Sequence, residues 1–222
     1  MSDGRQFQRA YSAHAKAQRA ADLLDAARRL GSRDGVRSLT LTAIAHEAGV
    51  HVSAVRRYYA SREEILILLT TEGYQGWSDE VIHRLQGHLV KSAELVEVLV
   101  STLENHPLFC DLLTHSTLSL EHEVSFEAVR GFKKSAHRNI LDLTEAIVDA
   151  TDMNSLSAGL VISATVALAA TFWQAGHPSV HVIRLYQEEP NLAHIGVDFR
   201  SALSTQLTAL IAGLACRTSD FS

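Results

Sequence analysis

Apolar positions recur every three or four residues along most of the chain and show no long two-residue alternation, a pattern that predicts helices throughout. Ala20, Leu23, Leu24, Ala27 and Leu30 make the first stripe and predict an amphipathic helix over Ala17–Leu30, ended by Gly31 and Gly35. The preceding Met1–Ala15 is polar and reads as a mobile arm. Such an arm either lies along a nucleic acid or is a plain leader. Ile44, Ala45 and Ala48 share one face of a short helix whose first turn Thr40 can cap. Gly49 suits a chain reversal that needs positive φ, and a second short helix follows over about His51–Tyr59. Ser61-Arg62-Glu63-Glu64 matches a capping box and opens a helix running to about Leu85.

Further stripes predict helices over Ala93–Asn105, Leu108–Thr114, Leu120–Ala150, Ser155–Gln174 and Leu192–Leu214. His106-Pro107 and Ala175-Gly176-His177-Pro178 act as terminators, the second leading into a polar loop that holds Glu188-Glu189-Pro190. Gly73 and Gly76 fall inside a predicted helix, where each costs about 1 kcal/mol relative to alanine. They mark a bend or a close contact with a neighbour. The fold class is therefore all-α, with a division expected between residues 1–64 and 65–222.

The pair of short helices around Gly49 reads as a helix-turn-helix. Small Ala45 stands where the helices cross, Gly49 at the turn, and Val55 in the hinge core. With Thr40, Ile44-Ala45, Ala48-Gly49-Val50, Tyr58-Tyr59 and Ser61-Arg62-Glu63 in register, Ala17–Leu68 resembles the tetracycline-repressor (TetR) family of bacterial transcription regulators. One departure is Val55-Arg56, where that family usually carries Leu-Tyr. The resemblance implies an N-terminal three-helix DNA-binding head and a C-terminal helical body that binds a small-molecule effector and dimerises. Carried over to matching positions, it implies DNA contacts at Thr42, Val52, Ser53, Ala54, Arg56, Arg57, Tyr58 and Arg62. Small and apolar residues at the front of the second helix suit thymine methyl groups. Tyr58 and Arg62 suit phosphates, and Val55 and Tyr59 are expected to pack inside. Arg56 can read a guanine or clamp a phosphate.

Charge agrees with that division. Residues 1–64 hold 11 Lys and Arg against 7 Asp and Glu, whereas residues 65–222 hold 9 against 18. A net charge of −5 thus conceals a basic head on an acidic body, as phosphate binding at one end requires.

The body carries no motif of its own. By resemblance it should hold an effector pocket, for which Tyr74, Trp77, Phe109, Cys110, His115, Phe126, Phe132 and Trp173 are candidates. The last two helices are more apolar than a small body needs, so a homodimer through them is expected, facing a palindromic double-stranded operator. His106, Cys110 and His115, or His177 and His181, lack any strong zinc spacing, and no metal is expected. No phosphate-binding glycine loop, nucleophile elbow or cofactor fingerprint is present, so neither catalytic residues nor a cofactor is expected. The N-terminal residues lack the apolar stretch of a secretory signal. Two distant cysteines fit a reducing cytoplasm. Ala158–Trp173 is shorter than the roughly 20 residues of a membrane span, so a buried helix and no membrane partner are expected. The expected function is a repressor that an effector releases from its operator. The alternative is an activator, or an effector-independent DNA-binding protein with the same head.

Overall fold

A computed structural model describes residues 3–116, 124–192 and 198–219, with the side chains of 14–115, 124–192 and 198–215. Among these residues there are ten α-helices and no strand. They are α1 (Asp3–Asp34), α2 (Leu41–Glu47), α3 (Val52–Val55), α4 (Arg62–Leu85), α5 (Ser92–Glu104), α6 (Pro107–Ser116), α7 (Phe126–Ala150), α8 (Ser155–Gly176), α9 (Val180–Glu188) and α10 (Phe199–Ser219). Short 3-10 turns at Val36–Ser38 and Pro190–Leu192 complete the order.

Local chemistry sets most of the boundaries. Thr40 Oγ1 accepts the Ala43 N–H at 3.1 Å and starts α2. Gly49 then turns the chain at φ 66°, the left-handed region in which a side chain would be strained. Ser61 Oγ accepts the Glu64 N–H at 3.2 Å, and the Glu64 carboxylate reaches back to the Ala60 N–H at 2.7 Å. The start of α4 is therefore satisfied from both sides. Ser125, Asn154 and Ser179 cap α7, α8 and α9 in the same way.

Two apolar cores result. Leu23, Leu30, Val36, Leu39, Ile44, Val55, Tyr59 and Leu66 centre the first, inside α1–α3 and the start of α4. Trp77, Leu85, Leu99, Phe109, Ile147, Val161 and Leu207 centre the second, inside the body. Helices α4 and α6 belong to both. Ile65, Leu66 and Leu69 of α4 enter the head core while Tyr74, Trp77 and Val81 enter the body core. In α6, Leu112 faces the head while Phe109, Cys110 and Leu113 face the body. In the body α4 lies along α7, and α8 packs against α6, α7 and α10.

Several expectations need correction. Asp3 onward belongs to α1, so the expected arm is helix instead. Ala10, Ala13, Ala15 and Ala17, set among Gln, Arg and Lys, give that segment a high helix propensity. Gly31 does not end α1. A Cβ there would stand 3.0 Å from Leu108 Cδ1, so this glycine lets α6 approach closely, and Gly35 at φ 80° ends the helix. The second helix of the pair is α-helical only over Val52–Val55, and turn hydrogen bonds carry the chain on to Tyr59. The loop expected before Glu188 contains α9, and the last helix begins at Phe199 and runs to Ser219. The expected Leu120 start of the long helix lies outside the described residues. Gly73 and Gly76 are explained by contact: α4 runs unbroken through both, and an added Cβ would meet Phe109 and His106 respectively.

Candidate functional site

The head is braced from behind. The Arg28 guanidinium reaches Glu72 of α4 at 2.7 Å, and Arg29 and Arg33 reach Glu47 of α2 at 3.5 and 3.2 Å. These pairs are largely solvent-facing, so each contributes little to stability. Tyr59 is buried, and its hydroxyl donates to the Ala20 carbonyl at 2.7 Å. Burial, with Glu64, Glu72 and Asp25 nearby, pushes that phenol up to about 12, so it remains a neutral donor.

Thr42 is exposed at the start of α2, and Ser53 is exposed at the front of α3 between half-buried Val52 and Ala54. Arg56 and Arg57 are exposed just past α3, and neither has an acidic partner among the described residues. Tyr58 is half-buried against the head core. Seven of the eight expected DNA-contact positions therefore lie on α2, on α3 or in the turn just beyond, and four of them, Thr42, Ser53, Arg56 and Arg57, are exposed. Arg62 differs. It donates through Nε to the Leu39 carbonyl and through Nη2 to the Val36 carbonyl at 3.0 Å, and it pairs with Glu63 at 3.3 Å. Its guanidinium ties the Val36–Leu39 segment to the start of α4.

A groove of about 840 Å³ lies in the body between α4, α6, α7 and α8. Tyr74 and Phe132 line it, as expected. Trp77, Phe109 and Cys110 lie in the core instead, with Trp77 stacked on Phe109 at 6.0 Å between ring centroids and its indole N–H donating to Thr102 at 3.0 Å. Burial pushes the Cys110 thiol up to about 12. His115 sits at the head–body junction with Nε2 buried and without a hydrogen-bond partner among the described residues, and burial lowers its pKa despite the nearby Asp111 carboxylate. Phe126 is 75% exposed at the start of α7. Trp173 stacks on His177 at 4.0 Å and meets Phe199 edge-on, away from the groove.

The groove's polar residues were not among the sequence candidates: Thr70, Thr114, Lys133, His137, Ser163, Thr171 and Gln174. A signal existed in Ser163, Thr171 and Gln174, which interrupt one side of the otherwise apolar α8. Among the described residues no acidic side chain lines the groove. Among the described residues no group of His, Cys, Asp and Glu is arranged to hold a metal ion.

Helix α8 is the one described helix long and apolar enough to cross a membrane, with a mean hydropathy of 1.8. Only 33% of its most apolar window is buried. Leu156 and Leu160 are exposed on it, and a Cβ added at Gly159 of α8 or Gly213 of α10 would meet open space.

Comparison with known proteins accounts for both halves. Residues 23–69 match the family described as "Bacterial regulatory proteins, tetR family". Residues 71–218 match "Tetracyclin repressor-like, C-terminal domain". No curated protein matches this chain. Solved structures share its fold. A possible TetR family transcriptional regulator from Streptomyces coelicolor A3(2) superposes with a TM-score of 0.57 at 18% identity, over 89% of this chain and 98% of that one. The fatty acid degradation regulator FadR from Bacillus halodurans gives 0.54 at 14% identity, over 87% and 98%. The multidrug binding protein EbrR, complexed with imidazole, gives 0.54 at 18% identity, over 86% and 94%. The chain belongs to the TetR family of bacterial transcriptional regulators, with a helix-turn-helix DNA-binding head and a helical C-terminal domain.

Proposed function

We propose that this protein is a dimeric cytoplasmic repressor, released from a palindromic operator when a small molecule enters the body groove. Residues 1–64 bind DNA and residues 65–222 bind effector and partner. The observation that carries the reading is the exposed Arg56–Arg57 step, with no acidic partner among the described residues, beside small Ser53 and Ala54 on a basic head. Arginine there anchors phosphates or reads guanine, and the small side chains let the helix sit close against base edges. Thr42, Val52 and Tyr58 flank that step, and Arg62 acts from beneath by fixing the Val36–Leu39 segment.

A second copy covers the exposed α8–α10 face, and two-fold pairing sets two heads at a fixed span. The groove's apolar lining, with Lys133 and His137 one turn apart on α7, favours an effector with an apolar body and an anionic end. Release needs only that the effector bind better to a state in which the heads no longer match successive major grooves. No enzymatic role is proposed.

The test is fluorescence anisotropy on a duplex selected from random sequence with the purified protein. Adding candidate amphipathic organic anions should lower the anisotropy toward free duplex. Retention of the duplex across all of them would favour an activator or an effector-independent DNA-binding protein. Failure to retain any duplex at low salt would reject DNA regulation altogether.

A further inference from the structure

Asp111, on the α6 face between the two cores, accepts hydrogen bonds from opposite directions. Its Oδ2 takes the backbone N–H of Val36 at 2.7 Å. Its Oδ1 takes the side-chain amide of Gln174, on α8, at 3.0 Å. Val36 opens the 3-10 turn that joins α1 to α2, and its side chain is fully buried in the head core. Its carbonyl is held in turn by Arg62 of α4 at 3.0 Å. The turn that feeds the helix-turn-helix is therefore held on one side by α4 and on the other by a body carboxylate. Gln174 lines the groove. One carboxylate thus stands between a groove side chain and the backbone of the head.

We infer that Asp111 is a positioning residue that reports groove occupancy to the helix-turn-helix through the Gln174–Asp111–Val36 chain of hydrogen bonds. This rests on reading the groove as the effector site. An anionic or carbonyl group entering beside Gln174 is an acceptor, and it competes with Asp111 for the same amide N–H. Asp111 without that donor loses one of two restraints on its rotamer and holds Val36 less firmly. A charge-assisted bond to a backbone N–H is among the stronger single hydrogen bonds, so its loss is felt at the turn. Gly35, at φ 80°, lies directly against the carboxylate: a Cβ there would stand 3.6 Å from Oδ2. Asp111 and Val36 are 75 residues apart in sequence, so the contact can only be a tie between head and body.

The test reads the Val36 amide in the full-length protein by hydrogen exchange in NMR, with the Leu99 amide of the body core as the reference for global opening. Gln174→Leu removes the donor and leaves every residue of the head unchanged in sequence. It should speed Val36 exchange on the order of fivefold with Leu99 unchanged. Gln174→Glu, which sets a second carboxylate against Asp111, should do the same. Asp111→Ala should speed it further, and adding Gln174→Leu to Asp111→Ala should change nothing more. Unchanged Val36 exchange in both Gln174 variants, or simple additivity in the double variant, overturns the relay. The probe for the groove is 1-anilinonaphthalene-8-sulfonate, an apolar organic anion. Its binding should be abolished by Ala167→Trp and should itself speed Val36 exchange. Binding that is blocked by Ala167→Trp but leaves Val36 exchange unmoved overturns the relay and leaves the groove standing. Binding indifferent to Ala167→Trp overturns the groove as effector site, and the relay from it falls with it.

Discussion

A Cβ placed on Gly73 would stand 2.8 Å from Phe109 Cδ2 and 2.9 Å from Phe109 Cβ. Helices α4 and α6 therefore touch through a bare backbone at this level. Phe109 cannot easily yield, since it is 2% exposed and stacked on Trp77. For Gly73→Ala the helix-propensity gain of about 1 kcal/mol opposes an overpacking cost of about 1–3 kcal/mol. The expected result is a net loss of about 1 kcal/mol, read as a lower urea midpoint at constant slope. Gly131 of α7 has nothing within 4 Å of an added Cβ, so Gly131→Ala should instead gain roughly 0.5–1 kcal/mol. Equal effects at the two glycines would show that the α4–α6 contact is not tight.

Arg57 and Arg62 should separate binding from folding. Arg57 is exposed and has no acidic partner among the described residues, so Arg57→Ala should weaken binding to every duplex alike. The slope of log affinity against log salt should fall by about 2 for the dimer, one phosphate contact in each half-site, with stability unchanged within about 0.5 kcal/mol. Arg62→Ala strips donors from the Leu39 and Val36 carbonyls, so it should cost about 1–3 kcal/mol in a thermal melt as well as affinity. An Arg57→Ala variant with full affinity and altered sequence preference would assign that arginine to base reading.

Much of this was legible in the chain. Period-3.6 stripes located the long helices, and Thr40, Gly49 and Ser61 located the turns that shape the head, because capping and positive φ are local demands that residue type alone expresses. Helix α9 was not legible. Pro178 and the Glu188-Glu189-Pro190 run made it read as loop, although Ser179 caps it and Arg184 pairs with Glu188 one turn later at 2.7 Å. Its apolar Val182, Ile183 and Tyr186 do fall at helical spacing, but the run is only nine residues long and buries no residue, so no core claims it. The groove was only partly legible: Tyr74 and Phe132 line it, but which of the other aromatics face a cavity and which face the core depends on how α4, α6, α7 and α8 cross. The roles of Asp111 and Arg62 depend on contacts to backbone groups far away in sequence, which spacing does not encode.

His115 gives the protein an acid sensitivity at the head–body junction. Burial lowers its pKa below the ordinary 6.5, and Nε2 has no hydrogen-bond partner among the described residues. The unfolded chain therefore binds a proton at this position at pH values where the folded chain does not. Stability should then rise with pH through this window and fall as pH drops below about 6.5. His115→Gln, which cannot take up that proton, should flatten the fall between pH 6.5 and 5. Urea midpoints at several pH values compare the two. Parallel curves for wild type and variant would remove His115 as the cause.

The α8–α10 face should prove decisive for DNA binding because symmetry doubles every change made there. Leu160 is 44% exposed beside Gly159, whose added Cβ would meet open space, as expected of a surface waiting for a close partner. In a two-fold dimer one substitution enters the interface twice. Leu160→Arg removes two apolar side chains and adds two cations, a loss of roughly 3–6 kcal/mol from apolar burial alone, or two to four decades in the dimer constant. Light scattering at micromolar concentration should give a monomer, and affinity for the selected palindrome should collapse to that of a half-site. Ile183→Arg is the control: Ile183 is about as exposed, at 43%, but sits on α9, which buries nothing. It should remain a dimer with full affinity. A monomer from Ile183→Arg, or a dimer from Leu160→Arg with intact operator binding, would move the interface away from the face formed by α8 and α10.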